Sequence, residues 1–185
     1  MIDKNTGVWD LDTAKRRHRF DKPLADYIIK NYKVNSIADV GCGVGSYCKA
    51  FKDSGINIVH GYEGTQGISK IATYDDIMTV DLTKERWVDI YYDLVICLEV
   101  GEHIPLEYEQ RVIDNICRYV NKDLILSWAV PGQGGAGHYN ERPNEYIIAE
   151  LGKRGFVFNK VKSMNIREAA SLKWFRNTLM IFERV

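Results

Sequence analysis

Four side chains that could together hold a metal ion follow two apolar stretches of the chain. Glu99, Glu102 and His103 come directly after residues 92–98, and in a helical turn their spacing of three and four positions places them on one side. Two carboxylates beside an imidazole, with no cation among them, repel one another and raise one another's proton affinity. The cluster therefore favours a divalent cation, Mg²⁺ or Mn²⁺. Two alternatives stay open: Glu102 and His103 act as an acid/base pair, or they cap a helix beginning at Pro105.

The fourth candidate ligand is His138, which ends a loop with four glycines between positions 132 and 137. This loop follows residues 122–129, a predicted strand that should lie beside the strand at 92–98, so His138 can reach the acidic cluster. Such a loop can adapt around a substrate when it borders an active site. His103 or His138, whichever is not a metal ligand, would act as the catalytic base. The plain alternative for His138 is a hydrogen bond within the loop.

A second constellation precedes these residues and is typical of a ligand-binding turn. Residues 37–46 form an apolar run that leads into glycines at alternate positions, and a helical pattern follows. Glycine permits positive φ and close backbone approach, and the N–H groups at the start of the following helix are expected to face a ligand. A dinucleotide site would need a glycine where Ser46 stands, so a nicotinamide or flavin cofactor is disfavoured. A glycine-rich turn without a ligand is the alternative.

The segment from Asp39 to Gly45, Asp-Val-Gly-Cys-Gly-Val-Gly, resembles the first motif of class I S-adenosylmethionine-dependent methyltransferases. The resemblance implies that Asp39 and the loop hold the amino acid end of S-adenosylmethionine. It also implies that Glu63 accepts hydrogen bonds from the ribose hydroxyls and that Asp81 accepts one from the adenine amine. An exposed turn glutamate and a helix N-cap are the respective alternatives. The implied cofactor-binding residues are Asp39, Gly41, Cys42, Gly43, Gly45, Glu63, Asp81, Leu82 and Leu98.

The elements that must position these residues alternate between strand and helix patterns, which predicts a mostly parallel sheet with helices on both faces. The predicted strands are 36–40, 57–62, 77–80, 92–98, 122–129, 156–161 and 176–183, and the clearest helices are 105–120 and 146–151. Seven strands match the α/β Rossmann-like methyltransferase sheet, whose order is 3-2-1-4-5-7-6. The domain is expected to span residues 23–185. Residues 1–22, with a basic cluster at 15–19, are either a solvated leader or a cover over the active site.

Composition limits the partners. The 185 residues carry 25 Lys and Arg against 25 Asp and Glu, so the net charge gives no reason to expect nucleic acid or an anionic membrane. The four cysteines show no C-x-x-C spacing and are read as reduced packing residues of a cytoplasmic protein. The amino terminus is too polar for a signal peptide, and no apolar run approaches a membrane span. The oligomeric state, and whether the chain is part of a longer protein, stay open.

The acceptor is predicted from two further resemblances. The Glu-x-x-Glu-His set with its distant histidine resembles small-RNA 3′-terminal 2′-O-methyltransferases, and Glu-x-x-Glu-His alone is similar to ubiquinone-pathway O-methyltransferases. Both imply chemistry on a hydroxyl flanked by another oxygen. The loop at 128–140 offers an aromatic side chain with amide and imidazole donors, and with residues 174–178 it looks like methyltransferases of surface-glycan synthesis, so a sugar or glycan hydroxyl is favoured. A phenol or catechol, an RNA 2′-hydroxyl, and a non-catalytic binding protein are the alternatives.

Overall fold

The computed structural model describes residues 2–185 as one seven-stranded sheet with helices on both faces. The strands are β1 (Ser36–Val40), β2 (Ile58–Glu63), β3 (Ile77–Thr79), β4 (Tyr92–Leu98), β5 (Val120–Ser127), β6 (Phe156–Phe158) and β7 (Met180–Arg184). The helices are α1 (Leu11–Arg17), α2 (Lys22–Asn31), α3 (Ser46–Asp53), α4 (Glu109–Tyr119), α5 (Asn144–Gly152), α6 (Lys160–Ala169) and α7 (Phe175–Thr178). The strand order is β3-β2-β1-β4-β5-β7-β6, which confirms the predicted topology.

The centre of the sheet is apolar on both faces because helices cover both. β1 is buried along its whole length and pairs in parallel with β2 and β4. β7 alone runs antiparallel to its two neighbours, β5 and β6. One core contains the apolar side chains of α4 and α5, and the other those of α2, α3 and α6. The carboxyl ends of β1, β2, β4 and β5 therefore meet at one edge, where ligands of such sheets bind.

Several predicted boundaries differ from the structure for local reasons. The helix expected at 105–120 starts as a 3₁₀ turn, Leu106–Tyr108, and becomes α-helical only at Glu109. The strand expected at 156–161 ends at Phe158, because the Asn159 side chain accepts a hydrogen bond from the Lys162 N–H and so caps α6. The strand expected at 176–183 begins only at Met180, after the short helix α7.

The amino-terminal segment is structured and is fixed to the domain. Asp10 caps α1, whose last turn carries the basic cluster. Asp21 is fully buried: one carboxylate oxygen caps α2 at Leu24 N, and the other accepts from the N–H groups of Ser171 and Leu172 at 2.8 and 2.7 Å. Among residues 2–185, no helix combines the length and the apolar character needed to cross a bilayer.

Candidate active site

Two adjoining chambers open at the carboxyl ends of the central strands. The glycine-loop chamber has a volume of about 110 Å³ and is lined by Gly41, Gly43, Glu63, Val80, Leu82 and Leu98, among others. The histidine chamber has a volume of about 440 Å³ and is lined by Asp39, Glu99, Glu102, His103, Gln133 and His138, among others. Leu98, Glu99 and His103 line both, so a ligand in one chamber would contact a ligand in the other.

The glycine loop has the left-handed backbone that its glycines permit. Gly41, Gly43 and Gly45 all have positive φ, at 80°, 53° and 80°. A Cβ on Gly43 would lie 1.7 Å from the His18 ring, so a side chain is excluded there by space as well as by conformation. The N–H groups of Gly41 and Cys42 donate to the Tyr62 carbonyl and that of Gly43 donates to Glu63, because β2 lies alongside the loop. The expectation that the N–H groups at the start of the following helix face a ligand stays a prediction.

Asp39 is a buried carboxyl group at the end of β1. It is 3% exposed, and the Cys48 thiol lies beside it, with Sγ 3.7 Å from Oδ2. Burial raises the pKa of Asp39 from 3.8 to about 8, with the charge of Glu63 adding to the effect. A cationic ligand would stabilise the ionised form of a carboxyl group that is buried in this way. The ammonium group of an amino acid is such a ligand.

The remaining predicted cofactor residues divide into two groups. Glu63 lines the glycine-loop chamber, and its oxygens accept from the Gly43 N–H and from Thr65, which fixes the carboxylate at the chamber wall. Leu82 and Leu98 line the same chamber. Asp81 does not: its Oδ1 accepts from the Thr83 N–H and hydroxyl, and the residue borders a separate surface depression. Cys42 is buried below the loop.

The structure brings three of the four predicted metal ligands together. One ligand atom each from Glu102, His103 and His138 lies within 4.8 Å of the others. Glu102 is fully buried, and neither of its carboxylate oxygens has a hydrogen-bond partner among residues 2–185. Burial, with the nearby charge of Glu99, raises the pKa of Glu102 well above its ordinary range. A divalent cation bound by this carboxyl group and the two imidazoles would give the carboxyl group the partner that it lacks.

The hydrogen bonds of the two imidazoles determine which nitrogen atoms remain available. His103 Nδ1 lies 3.1 Å from the Gly137 carbonyl, which only accepts, so Nδ1 carries the proton and Nε2 keeps its lone pair. His138 Nδ1 lies 3.1 Å from Oε1 of Glu141 and donates to it in the same way. Burial, followed by the neighbouring His138, lowers the pKa of His103 to about 4, so its ring is neutral at pH 7. Neutral imidazole is the form that binds metals.

Glu99 lies beside this group but not in it. Its backbone has a φ of 54°, unusual for a residue with a side chain, and its N–H donates to the Ser127 hydroxyl at 2.9 Å. Its carboxylate accepts from Gln133 Nε2 at 2.6 Å and from the Thr178 hydroxyl at 3.3 Å. These hydrogen bonds hold the Glu99 carboxylate beside the three ligands and not among them. The metal-ligand role expected for Glu99 stays a prediction without a supporting contact.

Three residues at the site have no counterpart among the predicted site residues. The His18 ring covers Gly43 and lines both chambers, and the Trp9 ring packs edge-on against His103 with centroids 5.0 Å apart. Glu141 accepts from the Gly132 and Gly134 N–H groups as well as from His138, and so folds the glycine-rich loop around that imidazole. The basic cluster that contains His18 belongs to the segment interpreted as either a solvated leader or a cover, but no pattern in the sequence singled out Trp9.

The glycine-loop chamber fits S-adenosylmethionine. It has apolar Val80 and Leu82 for a base and a carboxylate at Glu63 for a diol, and the buried Asp39 that lines the adjoining histidine chamber is available for an ammonium group. With the strand order, these features define the class: a class I S-adenosylmethionine-dependent methyltransferase. Residues 13–174 match a family model described as a methyltransferase domain. The chain therefore belongs to the methyltransferase-domain family.

Known proteins support this assignment. Over 184 residues the chain is 31% identical to the ubiquinone biosynthesis O-methyltransferase of Saccharophagus degradans, an alignment that covers 91% of this chain and 74% of that protein. The fold is similar to magnesium protoporphyrin IX methyltransferase from Synechocystis PCC 6803 with bound S-adenosylhomocysteine, with a TM-score of 0.63, 21% identity, and 95% and 83% of the two chains covered. It is also similar to a sugar N-methyltransferase of Streptoalloteichus, with a TM-score of 0.70, 14% identity, and 91% and 89% coverage. At these identities the two structures show the fold alone.

Proposed function

We propose that this methyltransferase transfers its methyl group to a hydroxyl of a sugar or glycan, with the help of a divalent cation. The observation that carries the proposal is the carboxyl group of Glu102, buried and without a hydrogen-bond partner, facing the imidazoles of His103 and His138. A scaffold protein would gain no stability from such a group, because burying an unpartnered carboxyl costs free energy. The presence of this group despite its free-energy cost is consistent with a role in binding a cation.

Glu102, His103 and His138 would hold Mg²⁺ or Mn²⁺ through one carboxylate oxygen and two Nε2 atoms. A bound divalent ion would lower the pKa of an acceptor hydroxyl and so increase its nucleophilicity. The protein's own residues prepare this geometry, because the Gly137 carbonyl and Glu141 fix the orientation of the two rings. Without a metal ion, His103 or His138 would act as the general base, which is the alternative mechanism.

S-adenosylmethionine would supply the electrophilic methyl group from the glycine-loop chamber. Asp39 would bind its ammonium group and Glu63 its ribose, which fixes the position of the cofactor relative to the histidine chamber. Trp9 and His18 from the amino-terminal segment lie between solvent and the loop, and would exclude water. Positioning and desolvation of this kind supply much of the rate in a transfer that neutralises charge.

A sugar acceptor is supported by the lining of the histidine chamber. Trp9 and Trp174 present aromatic surfaces, and Gln133 and His138 present polar groups, at one cleft. Pyranose rings bind to such mixtures by packing on aromatic faces and by hydrogen bonds from their hydroxyls. The net charge of zero gives no support to RNA as the acceptor. The four unbridged, buried cysteines fit the cytoplasmic location that we propose with this function.

A phenol or catechol is the second candidate acceptor. The specific observation in its favour is the 31% identity to a ubiquinone biosynthesis O-methyltransferase. Two vicinal oxygens on an aromatic ring would bind the metal ion held by Glu102, His103 and His138, as two vicinal hydroxyls of a sugar would. Sugars and catechols differ in the contacts that they would make with the histidine chamber. A sugar would need hydrogen bonds to its other hydroxyls, whereas a planar aromatic ring needs none around its edge.

The test combines metal removal with an acceptor panel. Purified protein is treated with a chelator and assayed for S-adenosylhomocysteine release with simple glycosides and catechols, before and after addition of Mg²⁺ or Mn²⁺. We expect activity to be lost on chelation, restored by the metal, and abolished in Glu102→Gln. Glu107→Gln, in the exposed turn that follows, is the matched control and should behave as wild type. Full turnover after complete metal removal would leave only the general-base mechanism, and no turnover on any acceptor would favour a binding protein.

A further inference from the structure

We infer that the acceptor carries an anionic group, a carboxylate or a phosphate, which Arg17 and Arg19 bind at the rim of the histidine chamber. This inference rests on the proposed function, because it assigns the acceptor of that same site. The chemical class is an acidic sugar: a ring with a hydroxyl to be methylated and a negative charge elsewhere on the molecule.

The two arginines are placed for a ligand. Both line the histidine chamber together with Trp9 and Trp174. Within residues 2–185, no carboxylate lies within ion-pair distance of either guanidinium, whereas Arg142 and Arg154 are each paired with an acid. Arg19 Nη1 donates to the carbonyls of Arg16 and His18 at 3.0 and 3.3 Å, which holds its guanidinium against the segment that borders the chamber.

The acids of the chamber cannot take the place of that ligand. Glu99 is occupied by Gln133 and Thr178, Glu102 is fully buried beside the histidines, and Asp39 is buried at the end of β1. Positive charge therefore remains at the rim without an acidic partner from the chamber. A neutral sugar would leave the two guanidinium groups without a partner, whereas a carboxylate or phosphate would bind them through paired, charge-assisted hydrogen bonds.

The simplest competing explanation is the helix dipole. Lysine and arginine are common in the last turn of a helix, where they offset its partial negative charge. That explanation covers Lys15 and Arg16 as well, and neither of these lines the chamber. It does not account for Arg19, which follows α1 and lies at the chamber wall. Arg16 is therefore a matched control on the same helix.

The experiment measures binding of saccharide probes to the protein saturated with S-adenosylhomocysteine, by calorimetry at low and moderate salt. The probes are methyl glucoside, methyl glucuronide and glucose 6-phosphate, so the two charged probes distinguish a carboxylate from a phosphate. We expect at least one charged probe to bind about tenfold tighter than the neutral one, and this preference to weaken with salt. The preference should disappear in the Arg17→Ala/Arg19→Ala double variant and persist in Arg16→Ala.

Equal binding of neutral and charged probes, or an unchanged preference in the double variant, would overturn the inference. Tighter binding of an RNA oligonucleotide than of either charged sugar would overturn it in favour of nucleic acid. The thermal shift caused by S-adenosylhomocysteine serves as the folding control for each variant. Because this is a binding measurement, it remains decisive when no methyl transfer is observed. Failure of the proposed function would instead appear as charge-selective binding without turnover.

Discussion

The buried Asp39 carboxyl makes the stability of the ligand-free protein depend on pH. Its pKa is about 8 in the folded protein and 3.8 in an ordinary environment. Because the folded-state pKa is raised, the stabilisation from this group is complete below pH 3.8 and is lost as the pH rises towards 8. Over that window the free energy of unfolding falls by about 1.4 kcal/mol per pH unit, or by about 3 kcal/mol from pH 5 to pH 7.

Asp39→Asn removes the titrating group and keeps the shape of the side chain. We expect its free energy of unfolding, relative to wild type, to be higher at pH 7 than at pH 5 by that same amount of about 3 kcal/mol. Urea unfolding of both proteins at the two pH values measures the difference, and equal slopes against urea show that the denatured states are comparable. Asp75→Asn, on the exposed surface, is the control and should follow wild type.

The same variant should lose the thermal stabilisation that S-adenosylhomocysteine gives to wild type, because an amide cannot pair with the ligand's ammonium group. The variant would thus lose the pH dependence that Asp39 contributes and would also lose its cofactor. Identical pH dependence of Asp39→Asn and wild type would refute the account of Asp39 as a buried, largely protonated carboxyl. Retained cofactor binding would refute its assignment to the ammonium group.

Three further substitutions test other parts of the site and the fold. Gly43→Ala places a side chain against His18 at a φ of 53°. The affinity for S-adenosylhomocysteine, measured by calorimetry, should therefore fall by about tenfold or more. Unchanged affinity would contradict the assignment of the loop to the cofactor. Glu141→Ala removes the carboxylate that orients His138, so Mn²⁺ binding should weaken by about 10- to 100-fold. Glu141→Asp should restore part of the affinity. A loss of stability with unchanged Mn²⁺ affinity would mean that the role of Glu141 is structural. Glu109→Ala removes the buried partner of Arg142 and should cost about 3 kcal/mol in urea unfolding without changing cofactor affinity; an unchanged midpoint would contradict the importance of that pair.

The fold was predictable because its main signals are local. Apolar runs alternate with helical patterns, which predicts the mostly parallel sheet, and the glycine loop marks the first strand-to-helix turn. The order of the strands came from the family resemblance. Helix α6 is absent from the prediction because its cap, Asn159, directly follows the apolar strand residues 156–158, and Val161 continues their apolar pattern. Helix α1 was missed because it is short and depends on Asp10 and on packing against the rest of the domain.

The site was only partly predictable, because side-chain direction depends on backbone angles that spacing does not reveal. Glu99, Glu102 and His103 share a helical spacing, but the positive φ of Glu99 directs its carboxylate towards Gln133 instead. The approach of His138 to His103 follows from neighbouring strands, and the structure places their ring centroids 5.0 Å apart. Trp9 reaches the site from a distant part of the chain, and no local pattern encodes such a contact.

The claim on which the proposed chemistry depends is that Glu102, His103 and His138 bind one divalent cation. The most direct measurement is a titration of Mn²⁺ into the protein saturated with S-adenosylhomocysteine, followed by electron paramagnetic resonance, in wild type and Glu102→Gln. We predict one bound ion per chain in wild type and a loss of affinity of about 100-fold or more in the variant, since one of three ligands is removed. Absence of Mn²⁺ binding in wild type, or equal binding in the two proteins, would contradict the account.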